Sequence, residues 1–265
     1  MFCIYKCCFS SCFLGSLRLN FEDSDRFWDA RVSNAELKML LDRIEKRAVE
    51  KIPTPYLLQE AWLTEHPFYC DERVIIPRSY IAELLKDELA PWVSNADNVT
   101  RVLDLCTGSG CLGILAAEVF PNAKVDCVDI SQDALDVAKI NVERYGMQDR
   151  IELIKSDLFN ELGDRQYDVI ISNPPYVTQE AMDNLPAEYR HEPALALGAG
   201  DDGLDIVRRL MTDAKAHLTN KGVMVVEVGD GKDACEAAYP KVPFTWLATE
   251  NEDAMVYLLR KDELP

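Results

Sequence analysis

RVLDLCTGSGCLG, residues 101–113, decides the fold. A strand-like run from Arg101 to Leu105 leads without a break into Cys-Thr-Gly-Ser-Gly, and Ser109 to Val119 follows with helical spacing. Strand, glycine-rich turn and helix in immediate succession make the first half of a βαβ unit. Gly108 and Gly110 allow a tight turn and a close approach of backbone to a ligand. The N-terminus of the following helix faces the same point.

The alternation continues downstream. Lys124–Asp129, Ile151–Lys155, Tyr167–Ser172, Gly222–Val228, Phe244–Ala248 and Ala254–Leu259 are predicted strands, with helices over Asp133–Tyr145 and Asp202–Leu218. Apolar strands alternating with helices predict a mostly parallel, doubly wound α/β sheet. The last two strands have no evident helix between them, so they are expected as an antiparallel hairpin at one edge.

Upstream, Ser33 with Glu36 three residues on reads as a capping box that opens a helix to Glu50, and Lys51-Ile-Pro-Thr-Pro55 ends it. A short helix near Tyr56–Leu63, an extended hairpin over Phe68–Ile76 and a helix over Tyr80–Leu89 are expected next. The chain therefore divides into an atypical or disordered N-terminus (1–20), a small helical domain (21–66), a hairpin and linker helix (67–90) and the main α/β domain (91–265).

The net charge of −18 repels phosphate backbones and draws basic partners, which disfavours bare nucleic acid as a partner. Apolar runs are too short to cross a bilayer. Nine cysteines include no Cys-x-x-Cys pair and only three histidines accompany them, so no metal site is expected; free thiols in a reducing cytoplasm account for them better. The apolar start, with Lys6, weakly resembles a secretion signal but lacks cleavage chemistry.

The candidate ligand pocket follows from the strand ends. Asp129 closes the second main strand, twenty-one residues after Gly108. A carboxylate there can accept from both ribose hydroxyls of a nucleoside. Asp157, after the third strand, can accept from an adenine amino group, with Leu158 against the ring. Gly108, Gly110 and Gly113 also spell G-x-G-x-x-G, so a nicotinamide dehydrogenase is a rival. Asp104 separates the two: an acid before the turn suits the positive amino-acid end of S-adenosylmethionine and sits poorly beside a pyrophosphate. Thr107, Ile130 and Asn173 complete the expected cofactor set. As structural alternatives, Asp104 can cap the turn and Asp129 the next helix.

Asn173-Pro174-Pro175-Tyr176 leaves the fourth strand at its carboxyl end, where open α/β sheets place ligands. The prolines stiffen the loop and leave carbonyl oxygens free. The Asn173 side-chain oxygen and the Pro174 carbonyl can each accept one N–H from a planar NH2, and Tyr176 can lie flat on it. Such a loop presents an amide or base nitrogen to an electrophilic methyl group. Its alternative reading is a rigid turn.

At these residues the chain resembles the protein-(glutamine-N5) methyltransferases, from about Ser33 onward. Asp71–Ser79, Leu105–Cys111, Glu188–Pro193 and Gly200–Leu204 are similar to the branch that modifies the third protein of the large ribosomal subunit. The release-factor branch usually has Gly where this chain has Cys106, and Tyr80 replaces a usual proline. The resemblance implies a Rossmann-like class I S-adenosylmethionine methyltransferase with a small N-terminal helical substrate-recognition domain. It also implies that Asn173 to Tyr176 hold a glutamine, and that Arg78, Glu83 and His191 lie on the substrate side. Its Asn-Pro-Pro-Tyr loop is shared with enzymes acting on exocyclic amines of RNA or DNA. Those enzymes, the release-factor branch and a non-catalytic module that keeps the pocket are the alternatives.

Overall fold

Apolar runs bounded by charges become the strands of the sheet in a computed structural model that describes residues 8–19, 26–27, 29–249 and 255–265. The order begins with helix α1 (Cys8–Ser16), α2 (Asn34–Ala48), α3 (Thr54–Leu58), strands β1 (Ala61–Leu63) and β2 (His66–Phe68), and α4 (Ile81–Lys86). It continues with β3 (Arg101–Leu105), α5 (Cys111–Val119), β4 (Lys124–Asp129), α6 (Gln132–Arg144), β5 (Ile151–Lys155), β6 (Tyr167–Ser172) and α7 (Gln179–Asp183). The chain closes with α8 (Asp205–His217), β7 (Leu218–Glu227), α9 (Lys232–Ala238), β8 (Thr245–Leu247) and β9 (Val256–Arg260).

The main sheet has the order β5-β4-β3-β6-β7-β9-β8. β5 through β7 are parallel, whereas β9 runs antiparallel to both β7 and β8. The expected edge pair is thus present as β8 and β9, with β9 inserted between β7 and β8. α9, which the sequence reading did not anticipate, precedes β8.

Alternate residues of the strands feed two apolar layers. Val102, Val169, Ile171 and Val225 pack with α4 and α5 on one face. Leu103, Leu105, Ile170 and Met224 pack with Val207, Leu210 and Met211 of α8 on the other. Each such side chain, removed wholly from water, contributes roughly 1.5–3 kcal/mol of transfer free energy. Strand order reverses direction between β3 and β6, so the loops after these two strands diverge and leave a crevice.

The capping box at Ser33 forms: its N–H donates to Glu36 Oε2 (2.8 Å) and its hydroxyl accepts from Glu36 N (3.3 Å). On α2 Leu40 is buried, while Leu37 and Leu41 are exposed. The expected hairpin at Phe68–Ile76 lies earlier, as β1–β2, with Ala61 opposite Phe68. Residues 69–80 instead form an irregular loop draped over the glycine turn. Asn141 holds its start, accepting from Tyr69 N (2.7 Å) and donating to Tyr69 O (3.0 Å) and Ser109 O (2.9 Å).

Helix α1 lies within the stretch expected to be irregular. Cys3, Cys7 and residues 20–25 fall outside the described residues. Among the described residues Cys70, Cys106, Cys111, Cys127 and Cys235 form no disulfide, no group of His, Cys, Asp and Glu could hold a metal, and no helix is long and apolar enough to cross a membrane.

Candidate active site

One cavity occupies the crevice, and the loops at the carboxyl ends of β3, β4, β5 and β6 build it. Gly108, Asp129, Ile130, Asp157, Leu158, Asn173 and Pro175 line it. Gly108 adopts φ +56°, a region open to glycine at little cost, and its N–H donates to Asp129 Oδ2 (2.9 Å). Ser131 N donates to Asp129 Oδ1 (2.9 Å). Two backbone donors therefore aim this carboxylate, and burial pushes its pKa above the usual aspartate value. Its remaining lone pairs can accept from a vicinal diol.

Asp104 and Thr107 are placed differently from the rest of the expected cofactor set. Asp104 lies beneath the glycine turn, 1 % exposed. Its Oδ2 accepts from Thr107 Oγ1 (2.5 Å) and Gly113 N (2.9 Å), and Oδ1 is buried without a partner. Gly110, which opens α5, also stands outside the cavity wall. Asp104 thus braces the turn and holds one unsatisfied carboxyl oxygen there.

Burial pushes the Asp104 carboxyl up to about 7. The folded chain holds this proton more tightly than the unfolded chain, whose aspartates titrate near about 3.9. Stability attributable to Asp104 therefore falls as pH rises from about 4 to about 7 and is level above that. Asp104→Asn removes the penalty. Its melting temperature relative to wild type is expected to climb between pH 5 and pH 8, by the equivalent of about 2 kcal/mol. Scanning calorimetry at the two pH values checks this; a difference that does not change with pH contradicts it.

Asp157 is paired with a residue that sequence reading missed. Arg209 of α8 donates from Nη1 to Asp157 Oδ1 (2.7 Å), and both line the cavity. The second Asp157 oxygen remains for an adenine amino group. The cavity is closed from above by Arg73, Val74 and Ile75 of the draped loop, with Arg73 locked onto Asp71 through Nε (2.9 Å) and Nη2 (2.6 Å). Pro193, Leu195 and Ala196 complete the wall. Glycines and acids at strand ends announce themselves locally; Arg209 matters through a partner 52 residues away and carries no local signal.

The Asn173 side chain is oriented by one bond. Its Nδ2 donates to the Arg78 carbonyl (3.0 Å), which leaves Oδ1 free to accept. Pro174 is buried and Tyr176 is partly buried. The Tyr176 ring lies on Gly229, where φ is +52° and a Cβ would stand 2.7 Å from Cε2. The loop behind Asn173 is pinned as well. Val177 N donates to Leu197 O (2.8 Å) and Ala199 N to Val177 O (2.9 Å).

Arg78 pairs with Glu192 (3.0 Å), a carboxylate 6 % exposed that also accepts from Ile76 N (3.1 Å), and stacks over Tyr189 at 5.5 Å. All three substrate-side candidates, Arg78, Glu83 and His191, lie outside the cavity wall. Glu83 sits in the first turn of α4. His191 Nε2 donates to the Glu50 carbonyl (2.8 Å), and beside it Arg47 pairs with Glu188 (2.6 Å), so the 188–193 segment ties α2 to the core. Glu227, at the end of β7, was also missed. It is 3 % exposed, and burial pushes its pKa up to about 7.

The donor set fits a nucleoside bearing a cationic amino-acid tail. A diol acceptor, an amino acceptor, flanking Ile130 and Leu158, and an unpartnered buried carboxyl oxygen under the turn match its parts. This sheet order with that cavity defines an S-adenosylmethionine-dependent methyltransferase of the class I fold. The sequence profile of the methyltransferase small domain matches residues 83–189. The chain belongs to the ribosomal protein uL3 glutamine methyltransferase family. The Neisseria meningitidis serogroup A member is 52 % identical over 251 residues, covering 95 % of this chain and 82 % of that protein. The Bordetella pertussis member is 51 % identical, covering 95 % and 84 %. Among solved structures, the hMettl16 catalytic domain in complex with MAT2A 3′UTR hairpin 1 is similar with a TM-score of 0.56. It covers 93 % of this chain and 89 % of that one at 18 % identity, a likeness of fold alone.

Proposed function

We propose that this chain transfers a methyl group from S-adenosylmethionine to the side-chain amide nitrogen of a glutamine in ribosomal protein uL3, in the cytoplasm. The orientation of Asn173, whose Nδ2 is committed to the Arg78 carbonyl while Oδ1 is free, supports it most directly. Family membership at about half identity supports the choice of uL3 over a release factor. The net charge of −18 favours a basic protein over nucleic acid.

When bound, S-adenosylmethionine supplies an electrophilic methyl group on sulfur. Asp129 accepts from the ribose hydroxyls, Asp157 from the adenine amino group, and Ile130 and Leu158 flank the base. Asp104, whose buried Oδ1 has no partner in the chain, attracts the ammonium end from beneath the turn. On the substrate side, Asn173 Oδ1 and the Pro174 carbonyl each accept one hydrogen of the glutamine NH2. Two acceptors raise electron density on a nitrogen whose lone pair is otherwise delocalised, and they fix its line of approach. Orientation of this kind can supply roughly 7–11 kcal/mol. Pro175 and Tyr176 hold the amide plane and keep water out. The segment that carries α2, tied to the site by Arg47–Glu188 and His191–Glu50, recognises the protein substrate.

Incubation with methyl-labelled S-adenosylmethionine and unmethylated large-subunit proteins tests this. Mass spectrometry is expected to place one methyl on a glutamine of uL3. Label in RNA alone, or in a release factor alone, contradicts the reading.

A further inference from the structure

Glu227 ends β7 beside the exit of β6, and its carboxylate is almost wholly buried. Oε2 accepts from the Ser79 hydroxyl (2.6 Å) and from Tyr80 N (2.9 Å). Ser79 Oγ in turn accepts from Ile81 N (3.2 Å), at the start of α4. The residue before Ser79 is Arg78, whose carbonyl takes the Asn173 amide. Residues 77–80 are thus suspended between two strand ends, Glu227 on β7 and Asn173 on β6.

A buried carboxylate is a costly way to hold a loop, since desolvation offsets most of what its hydrogen bonds return. What it does provide is geometry. Hydrogen bonds to an ionised acceptor are short and roughly twice as strong as neutral ones, so they fix Ser79 and Tyr80, and with them the Arg78 carbonyl. That carbonyl can only accept. It therefore distinguishes the two ends of the Asn173 amide and turns Oδ1 outward. Two residues beyond Glu227, Gly229 forms the bed for Tyr176, so the same strand end sets both parts of the loop.

We propose that Glu227 is a positioning residue for methyl transfer: it anchors the Arg78–Tyr80 segment so that the Arg78 carbonyl holds Asn173 with its oxygen toward the substrate amide. The inference rests on the amide-holding role of Asn173. It assigns Glu227 no contact with either substrate, and it predicts an effect on turnover that passes through Asn173 alone.

A double-mutant cycle on the full chain tests this, using single-turnover methylation of uL3 at saturating S-adenosylmethionine, with cofactor affinity measured by calorimetry. Glu227→Ala is expected to slow methyl transfer about 10- to 100-fold while cofactor affinity stays within about 3-fold. Glu227→Gln, which keeps an acceptor oxygen, is expected to recover most of that loss. In an Asn173→Ala background, Glu227→Ala is expected to cost less than about 2-fold further. Multiplied losses, a Gln variant no better than Ala, or weakened cofactor binding in step with the rate would each overturn the proposal. If Glu227→Ala does not fold, Ser79→Ala, which removes one anchor bond, enters the same cycle with the same criteria. Full activity of Asn173→Ala by itself would instead overturn the underlying role of Asn173.

Discussion

Asn173→Ala is expected to lower the rate of methyl transfer at least about 100-fold while leaving cofactor affinity within about 3-fold of wild type. The truncation removes the oxygen proposed to accept a substrate N–H and leaves the Arg78 carbonyl without its donor. Losing one acceptor aimed at a reacting group costs on the order of 10²–10³ in rate. A misplacement of about 1 Å at a reacting centre can cost 10²-fold by itself. Asn173→Asp gives a sharper contrast. It keeps an acceptor but cannot donate to the Arg78 carbonyl, and its charge repels that oxygen. If acceptance alone mattered, the Asp variant would be active. The Arg78 bond predicts that it is nearly as slow as Ala. Single-turnover rates with uL3, beside calorimetric cofactor affinities, separate these outcomes.

The second large effect falls on the cofactor. Asp129→Ala is expected to weaken S-adenosylmethionine binding at least about 100-fold. Its carboxylate accepts from Gly108 N and Ser131 N, so truncation orphans two backbone donors and removes the acceptors offered to the ribose. Hydrogen bonds to a charged acceptor contribute about 1.5–3 kcal/mol each, so losing even one or two reaches this range. Asp129→Asn, with a single acceptor oxygen, is expected to fall between. Titration calorimetry checks the series; an Ala variant that binds within 3-fold of wild type contradicts the role.

Much of the central sheet was legible because its signals are local. Arg101–Leu105, Lys124–Asp129, Ile151–Lys155 and Tyr167–Ser172 are apolar runs closed by polar residues, and each became a strand over those same residues. The hairpin was misplaced because the alternation in 68–76 imitates a strand. What holds that stretch as a loop is distant: Asn141 on Tyr69 and Glu192 on Ile76. No pattern within the segment can report partners 72 and 116 residues away. α9 escaped notice because it is only seven residues long.

The site divides the same way. Gly108, Asp129 and Asn173 were readable from strand ends, since a doubly wound sheet gathers its carboxyl-end loops at the reversal of strand order. Arg209 gains its meaning from Asp157, 52 residues earlier, and Glu227 from Ser79, 148 residues earlier. Cys106 shows a reverse case. It stands at φ +60°, a left-handed conformation that disfavours any side chain, which accounts for glycine in the related branch. Asp104 was legible as an important acid, but its place under the turn was not, because that depends on Gly113 and Thr107 both turning toward it.

A crystal structure with S-adenosylhomocysteine and a uL3 peptide carrying the unmethylated glutamine tests the central claim most directly. The glutamine nitrogen is expected about 3 Å from both Asn173 Oδ1 and the Pro174 carbonyl, facing the sulfur, with Asn173 Nδ2 still on the Arg78 carbonyl. A glutamine bound through its oxygen, or an Asn173 turned to offer its NH2, would contradict it.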